Sequence, residues 1–262
     1  MTAPQISPDV LLEIQDTVAV VRINRPAKRN ALNDGLVLAL RNVFESLPES
    51  VGAAVIHGSG EHFCAGLDLS ELSERDAVQG LHHSRMWHKA LDAVQFGRVP
   101  VVAALHGAVV GGGLELASAA HIRVADASTF YALPEGSRGI FVGGGASVRV
   151  PRLIGTARMT DMMLTGRVYG AEEGERAGFA QYLVPAGESL QKAIELARRI
   201  AANTPMTNYA LTQVLPRIAE QSTDHGLLTE SLVAAIAQSA PEAKQRLADF
   251  LQGRAEKVRR TG

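Results

Sequence analysis

Apolar residues in the first half of the chain form short runs that alternate with stretches of helical periodicity. The short runs, rich in valine and alanine, predict buried strands at 18–24, 53–57, 101–105 and 121–125. Apolar residues at helical spacing predict helices at 32–47, within 68–95 and at 114–120. This alternation is typical of an α/β protein, in which helices cover a mostly parallel sheet.

After residue 153 the pattern becomes almost entirely helical. Helices are predicted at 157–164, 171–177, 190–202, 205–219, 224–238 and 241–251, with one short strand at 182–184. We therefore expect two parts, a core at 1–200 and a helical region at 201–262. The basic tail at 254–262 is expected to be frayed.

Composition and charge narrow the class of protein. The 262 residues include 26 basic and 27 acidic side chains and 46% apolar residues, which predicts a soluble globular protein with a sizeable core. The balanced charge lacks the basic excess of a dedicated nucleic-acid binder. No apolar run approaches the roughly 18 residues that a membrane span needs, and the N-terminus does not resemble a signal peptide. We expect a cytoplasmic protein, with the mitochondrial matrix as the alternative, and no nucleic-acid or membrane partner.

The cysteine and histidine content does not predict a metal site. Cys64 is the only cysteine, so a disulfide within the chain and cysteine-based zinc binding are both ruled out. We expect Cys64 to be a small packing residue. His82, His83 and His88 lack the four-residue helical spacing of paired ligands, so they are expected to lie on the surface or to line a pocket. No metal is predicted.

Two glycine clusters, at 111–113 and 143–145, match neither the dinucleotide-binding fingerprint nor the P-loop. The first cluster leads into a predicted helix. The N–H groups at the start of a helix are unpaired and carry a partial positive charge, which suits a developing oxyanion. The same glycines could serve only to pack the helix closely against a strand, and both interpretations remain open.

Several segments form a joint pattern, namely Asn24-Arg25-Pro26, Asn30-Ala31-Leu32-Asn33, the A-G-x-D-L turn at 65–69, the glycine run with Glu115, Pro134-Glu135, and 166–178. Together they resemble the crotonase family, also called the enoyl-CoA hydratase/isomerase family. The resemblance covers nearly the whole chain. It implies the crotonase (ClpP-like) fold, with a repeated ββα spiral core that holds CoA and the active site. It also implies that the helical C-terminal region forms trimers, often paired into hexamers.

The resemblance implies an enoyl-CoA hydratase of fatty acid metabolism, which adds water reversibly and syn to a 2-enoyl-CoA through a thioester enolate. In that family two backbone amides, here those of Leu67 and Gly112, form the oxyanion hole. Glu115 and Glu135, twenty residues apart, match the two glutamates of the hydratases, with Glu115 as the base and Glu135 as the acid. Gly143 matches the glycine whose amide helps to hold the catalytic water.

Coenzyme A would be part of the substrate, and the resemblance implies no separate cofactor. Lys28 and Arg29 match positions that contact the nucleotide end of CoA, although they could form only a solvated basic loop. Ala65 and Asp68 match positions along the adenine and pantetheine path. Asp68 could instead only cap the following helix.

The acyl group is not determined by the sequence. The wall of its pocket is expected to include Leu81, Met86, Trp87 and Leu91. The chain has Ala132 where the family usually has glycine and Val142 where proline is common, so straight, branched and aryl acyl groups all remain open. The alternatives to a hydratase are an isomerase or a hydratase-lyase of the same family, or a non-catalytic CoA-binding or RNA-binding protein. Single-acid isomerases keep only the glutamate equivalent to Glu135, and hydratase-lyases lack the equivalent of Glu115.

Overall fold

The computed structural model describes residues 7–71 and 74–254. The chain divides into two compact units, 1–201 and 202–262, and each is considered by itself. This division lies close to the expected boundary, and the roles assigned to the two parts stay predictions. The expected fraying of the tail at 254–262 falls outside the described residues, except for Arg254.

The first unit contains two sheets and the helices that cover them. Its described strands are β1 (Val10–Gln15), β2 (Val18–Ile23), β3 (Ala53–Gly58), β4 (Val101–Leu105), β5 (Ala108–Val110), β6 (Ile122–Asp126), β7 (Phe130–Ala132), β8 (Tyr169–Gly170) and β9 (Tyr182–Val184). Its described helices are α1 (Asp34–Glu45), α2 (Ala77–Gln95), α3 (Gly112–Ala119), α4 (Ala146–Ile154), α5 (Thr156–Thr165), α6 (Ala171–Ala177) and α7 (Ser189–Ala201). The α/β class predicted from the sequence is confirmed.

The larger sheet has six strands in the order β1-β2-β3-β4-β6-β9. β1 pairs with β2 in antiparallel fashion, and the remaining pairs are parallel. The smaller sheet has the order β5-β7-β8, with β5 and β7 parallel. Because β5 follows β4 after a short turn, the chain passes from the first sheet to the second just before it enters α3.

The central strands of the larger sheet are buried on both faces, which explains why they read as continuous apolar runs. Val55 and Val102 belong to a cluster that includes Ala193 and Ala197 of α7. The alternate positions, such as Ile56 and Ala103, belong to the main core on the other face. The period of two along a strand therefore divides the same apolar run between two cores.

Four strands and one helix among the described elements were missed from the sequence, including the two-residue strand β8, which pairs with β7. β5 and β7 have three residues each and pair with each other. β1 lies at the edge of the larger sheet and is only partly buried. Helix α4 contains Pro151 and follows the second glycine cluster, so its sequence lacks the usual signals of a helix.

The second unit is helical in its described residues, as expected. It contains α8 (Pro205–Tyr209), a π-helical turn (Ala210–Val214), α9 (Leu215–Ile218), α10 (Thr223–Ser239) and α11 (Pro241–Leu251). The single helix predicted at 205–219 is interrupted by the π turn, because Pro216 has no N–H to donate to the preceding turn. Among the described helices, none is both long enough and apolar enough to span a membrane.

Candidate active site

A cavity of about 340 Å³ in the first unit brings together the segments that carry the predicted site. Glu115, Glu135, Leu67, Gly112 and Gly143 all line it. These residues come from loops and helix starts that lie far apart in the sequence. The predicted catalytic residues therefore share one cavity, and their individual roles stay predictions.

Two loops place the amides of Leu67 and Gly112 side by side. The nitrogen of Leu67 lies 3.6 Å from the position that a Cβ would take on Gly112, and the nitrogen of Gly112 lies 3.7 Å from the corresponding position on Gly66. Gly66 has φ +103°, and a side chain there would crowd the Val110 carbonyl oxygen at 2.9 Å. Among the described residues, neither amide nitrogen has a hydrogen-bond acceptor. Such unpaired donors can polarise a carbonyl oxygen.

The glycine run at 111–113 packs closely against its neighbours and also leaves one amide open to the cavity, while the oxyanion role stays a prediction. Gly111 has φ +51°, and a Cβ on it would lie 2.7 Å from an Oε1 atom of Glu135. Gly113 packs so closely that a Cβ would overlap the carbonyl oxygen of Cys64. The free amide belongs to Gly112, between them. Gly113 therefore permits close packing against Cys64. The absence of side chains on Gly111 and Gly112 leaves the Gly112 amide and the Glu135 carboxyl group accessible from the cavity.

Glu115 lies in the first turn of α3 and is 5% exposed. Its Oε1 accepts hydrogen bonds from the amides of Gly144 (2.7 Å) and Ala146 (3.2 Å) at the start of α4. Burial raises the pKa of Glu115, while these two hydrogen bonds and the positive charge of Arg149 oppose the rise. The start of α4 thus offers this carboxylate the donors that an ionised form requires.

Glu135 has a different environment. It is 9% exposed and begins the short turn after β7 and Pro134. Its Oε2 is buried and has no hydrogen-bond partner among the described residues. Burial raises its pKa, and the nearby charge of Glu115 adds to the rise, while its own backbone amide and Arg138 oppose it. These surroundings favour a protonated Glu135 beside an ionised Glu115.

Arg149 holds the loop that contacts Glu115, and sequence reasoning missed it. Its guanidinium donates to the Gly144 carbonyl (2.9 Å), to Asp92 (2.8 Å) and to Gln95 (2.6 Å). The arginine is only 7% exposed. An arginine on a short helix directly after a glycine cluster was the available signal, but its partners on α2 could not be read from the sequence.

The second glycine cluster contributes more than the predicted residue. Gly143 lines the cavity, and its carbonyl accepts a hydrogen bond from the Ser84 hydroxyl at 2.6 Å. The amide that reaches Glu115 belongs to Gly144, which the sequence interpretation did not select. The role of Gly143 in holding water stays a prediction.

The residues expected to bind CoA form one neighbourhood. The amide of Ala65 donates to the carbonyl of Arg29 at 3.0 Å, and Ala65 also lines the cavity. The Lys28 ammonium lies 3.6 Å from a carboxylate oxygen of Asp68 and donates to Ser70 at 3.0 Å. Lys28 is half exposed and so remains accessible to a ligand.

Asp68 is a buried anchor for this loop. Its carboxylate accepts from Ser70 (2.6 Å) and from Arg25 (2.9 Å), a residue that the sequence interpretation did not assign. The hydrogen bond from Ser70 contributes most to lowering the pKa of Asp68 to about 2, against the effect of burial. Asp68 caps the short 3₁₀ turn Leu69–Glu71 that directly follows it, because its Oδ1 accepts a hydrogen bond from the Ser70 amide at 3.1 Å. The long helix α2 begins only at Ala77 and is capped by Asp76.

Helix α2 forms one wall of the cavity, through residues at helical spacing. Those that line it are Gly80, His83, Ser84 and Trp87. Of the four residues expected at this wall, only Trp87 is among those lining the cavity. Leu91 lies in the main core, Met86 packs against that core, and Leu81 is exposed. His83 lines the cavity, which agrees with one of the two positions expected for it, the surface or the wall of a pocket. Among the described residues, no group of three side chains could hold a metal ion.

Two carboxyl groups with unlike surroundings, beside two amides without acceptors among the described residues, form an arrangement suited to proton transfer next to a polarised carbonyl group. Comparison with known proteins agrees. The family model for enoyl-CoA hydratase/isomerase matches residues 13–257. The 2,3-dehydroadipyl-CoA hydratase of Escherichia coli (strain K12) is 30% identical over 250 residues, which cover 94% of this chain and 96% of the relative. The short-chain-enoyl-CoA hydratase of Clostridium acetobutylicum is also 30% identical, over 249 residues that cover 94% of this chain and 95% of the relative.

Solved structures show the same relationship. A protein from Rhodopseudomonas palustris CGA009, which carries a provisional enoyl-CoA hydratase name, is 60% identical with a TM-score of 0.92. The match covers 94% of this chain and 95% of that one. The chain therefore belongs to the enoyl-CoA hydratase/isomerase family. It is an enzyme with the crotonase fold, as the resemblance implied.

Proposed function

We propose that this protein is an enoyl-CoA hydratase that adds water reversibly to a 2-enoyl-CoA and yields a 3-hydroxyacyl-CoA. The observation that carries the proposal is the presence of Glu115 and Glu135 in one cavity with different hydrogen-bond environments. The names of the curated relatives support the same reaction class.

In the hydration direction, the ionised carboxylate of Glu115 removes a proton from the bound water. The water oxygen forms a bond to the β-carbon, and the electron pair of the double bond moves onto the thioester oxygen. The amides of Leu67 and Gly112 stabilise this enolate oxygen, and the loss of one such donor typically costs about 100-fold or more in rate.

The protonated carboxyl group of Glu135 then gives its proton to the α-carbon, and the enolate returns to a thioester. One water has been added, Glu115 now carries a proton and Glu135 is ionised. Transfer of that proton from Glu115 to Glu135 through solvent restores the starting state. Syn addition requires both carboxyl groups to act from the same face of the double bond, and their presence in one cavity is compatible with this requirement.

Substrate binding in this proposal uses only groups of the chain. Lys28 and Arg29 of one loop, with Ala65 and Asp68 of another, hold the CoA part of the substrate, and Asp68 anchors Lys28. The chemistry assigned to the two glutamates and two amides uses no cofactor apart from the CoA that the substrate carries.

The test is the hydration of crotonyl-CoA, followed by the loss of enoyl thioester absorbance. Glu135→Gln should reduce kcat by about 100-fold or more, because general acid catalysis of this kind contributes 10²–10⁴-fold, while the thioester still binds. Glu172→Gln, at an exposed glutamate of α6, is the matched control and should not change the rate. Absence of turnover with short, long and aryl enoyl-CoAs alike would rule out the hydratase.

The same variants separate the alternatives. A single-acid isomerase would keep its conversion of a 3-enoyl-CoA to a 2-enoyl-CoA after Glu115→Gln, whereas a hydratase would lose most of its hydration. A non-catalytic CoA-binding protein would show no turnover to lose. The burial of Glu115 and its two amide donors favour the hydratase.

We also propose that the protein assembles with copies of itself, as a trimer or a hexamer, through the second unit. In its described residues, α10 and α11 carry many large apolar side chains that are more than half exposed. These are Leu227, Leu228, Leu232, Ile236, Leu247, Phe250 and Leu251. Contiguous exposed apolar surface of this kind typically marks a protein–protein contact.

A further inference from the structure

The cavity that holds the two glutamates is also lined by basic side chains that hydration does not use. Arg75 and His83 both lie against Asp34, at 3.7 Å and 2.7 Å between nitrogen and oxygen. Although burial opposes it, hydrogen bonds from Trp87 and His83 keep the pKa of Asp34 below its usual value. The charge of Arg75 is therefore balanced within this cluster.

Arg138 lines the same cavity but has no such partner. Among the described residues, no hydrogen bond or ion pair involves its side chain. It ends the turn Gly136–Arg138, which begins directly after Glu135. A guanidinium group offers five N–H donors in a planar arrangement, and a carboxylate is the ligand that accepts two of them at once. Arg138 thus presents an exposed guanidinium group, available to a carboxylate, at the lining of the cavity.

The surface next to Arg138 suits the hydrocarbon part of an acyl chain. Ile140 and Phe141 line the cavity and are 48% and 70% exposed, and Val142 continues the same wall. A substrate chain on this wall would bury apolar surface along its length and would meet a cation beside it. The combination selects for a chain that carries both apolar carbons and a negative charge.

Arg138 belongs to the acyl side of the site rather than to the CoA side. Its charge acts on the carboxyl group of Glu135, where the α-carbon is protonated in the proposed reaction. Lys28, the cation assigned to CoA, instead pairs with Asp68 and Ser70. The two cations therefore lie in different parts of the site. Arg138 is near Glu135, and Lys28 is near the segment that contains Ala65 and Asp68.

We infer that Arg138 selects 2-enoyl-CoA thioesters whose acyl chain carries a second carboxylate beyond the reacting double bond. The carboxylate would pair with the guanidinium group while the chain lies against Ile140 and Phe141. This inference rests on the proposed function, because it places the thioester carbonyl at the amides of Leu67 and Gly112.

The first test measures binding without turnover, with the full-length protein and saturated thioesters of equal length. Adipyl-CoA is compared with hexanoyl-CoA, and glutaryl-CoA with pentanoyl-CoA, by isothermal titration calorimetry. We expect the carboxylated member to bind at least about 10-fold more tightly, the usual value of a hydrogen bond to a charged group. Arg138→Gln should abolish this preference and Arg138→Lys should keep part of it. Arg75→Gln, which removes an arginine already paired with Asp34, should change the ratio much less.

The second test measures kcat/KM for hydration of the corresponding 2-enoyl-CoA pairs. The ratio of the carboxylated to the uncharged substrate should fall about 10-fold in Arg138→Gln. Equal affinity for both members in the parent protein would overturn the inference. So would an equal loss for both members in Arg138→Gln, because that result assigns Arg138 to the phosphates of CoA.

The two tests also separate this inference from the proposed function. If neither enoyl-CoA is hydrated but the saturated pair shows a preference that depends on Arg138, the hydratase fails and the carboxylate site stands. If both substrates are hydrated without preference, the hydratase stands and the carboxylate site is wrong.

Discussion

At the scale of single residues, Glu115 and Glu135 show how two identical side chains acquire different tasks. Glu115 receives two backbone hydrogen bonds at the start of α4, and Glu135 keeps a buried oxygen without a partner. A carboxylate needs donors to replace the water that it loses, whereas a protonated carboxyl group needs fewer. In the proposed mechanism, the base and the acid are therefore distinguished by their surroundings and not by their residue type.

We expect the buried carboxyl group of Glu135 to lower the free energy of unfolding at neutral and alkaline pH. Burial raises its folded-state pKa above the unfolded value of 4.5. Between these two pH values the folded protein binds more protons than the unfolded chain, so stability falls as pH rises through this window. Glu135→Gln removes the penalty and should stabilise the protein at pH 8 by about 1 kcal/mol, the usual gain from relieving a strained active site.

Urea denaturation at pH 8 and at pH 4, at one protein concentration, measures this effect. The gain in the free energy of unfolding should be present at pH 8 and should shrink toward zero at pH 4. At pH 4 the Glu135 side chain of the parent protein is largely uncharged, as is the glutamine of the variant. A variant that is less stable than the parent at pH 8, or a gain that grows in acid, would contradict the assignment.

The neighbouring glycines Gly143 and Gly144 offer a matched pair of substitutions. A Cβ on Gly144 would lie 2.5 Å from Oε2 of Glu115, whereas a Cβ on Gly143 would meet only the Ser84 hydroxyl at 3.9 Å. Gly144→Ala should therefore displace the Glu115 carboxyl group and lower kcat by about 100-fold, as misplacement by an ångström can do. Gly143→Ala should cause a much smaller loss. Equal losses in steady-state kinetics would show that Gly144 does not position Glu115.

At the scale of elements, helix α4 acts as the support of the catalytic base. Its first amides reach Glu115, and its Arg149 reaches back to α2 through Asp92 and Gln95. The same arginine holds the Gly144 carbonyl. Three elements, α2, α3 and α4, are thus joined around one carboxyl group, and a change in any of them should alter its position.

Arg149→Met tests this support. Loss of the positive charge should raise the pKa of Glu115, because Arg149 lowers it in the parent protein. Glu115 must be ionised to act as the base, so the acid limb of the kcat/KM profile should move to higher pH. We also expect kcat to fall by about 10- to 100-fold from misplacement of the Gly144 loop.

Arg149→Lys is the control for charge. It should move the acid limb less than Arg149→Met, while it still loses most of the hydrogen bonds. An acid limb that stays in place in both variants would mean that Arg149 has only a structural role.

At the scale of the whole molecule, the two units differ in how completely they bury their apolar residues. The first unit has two clusters of buried side chains, whereas the second leaves large apolar residues in solvent on α10 and α11. Leu228, Leu232 and Ile236 recur every four residues and so share one face of α10. Burial of this face against other copies of the chain would remove it from water.

The double variant Leu228→Glu/Leu232→Glu should convert the assembly to monomers of 27.8 kDa, because it places charges in the expected contact. Glu230→Lys changes the charge of an exposed residue on the side of α10 opposite Leu228 and Leu232 by two units, and should leave the assembly intact. Sedimentation velocity at micromolar concentration measures both. A parent protein that sediments only as a monomer would show that the apolar face has another purpose.

Much of the fold and part of the candidate site could be predicted from the sequence, because local patterns carry that information. Periodicity indicated the strand at 101–105 and the helix at 171–177, which appear with those bounds as β4 and α6. Asn33, near the beginning of the helix predicted at 32–47, caps α1 by accepting a hydrogen bond from the amide of Leu36. The two glutamates and the glycine run could be selected because their order and spacing match a family pattern.

The sequence by itself determined the α/β class, the apolar strands and the position of the paired acids, since each is a pattern of neighbouring residues. Only the tertiary structure decided that Gly144 and Ala146 hold Glu115, that Arg149 supports them and that Arg138 forms no ion pair with the other described residues. Those facts depend on contacts between residues far apart in the chain. The short strands β5 and β7 belong to the same group, since each is stabilised by pairing with the other. The physical reason is that secondary structure follows local periodicity, whereas hydrogen-bond partners are set by the packing of distant segments.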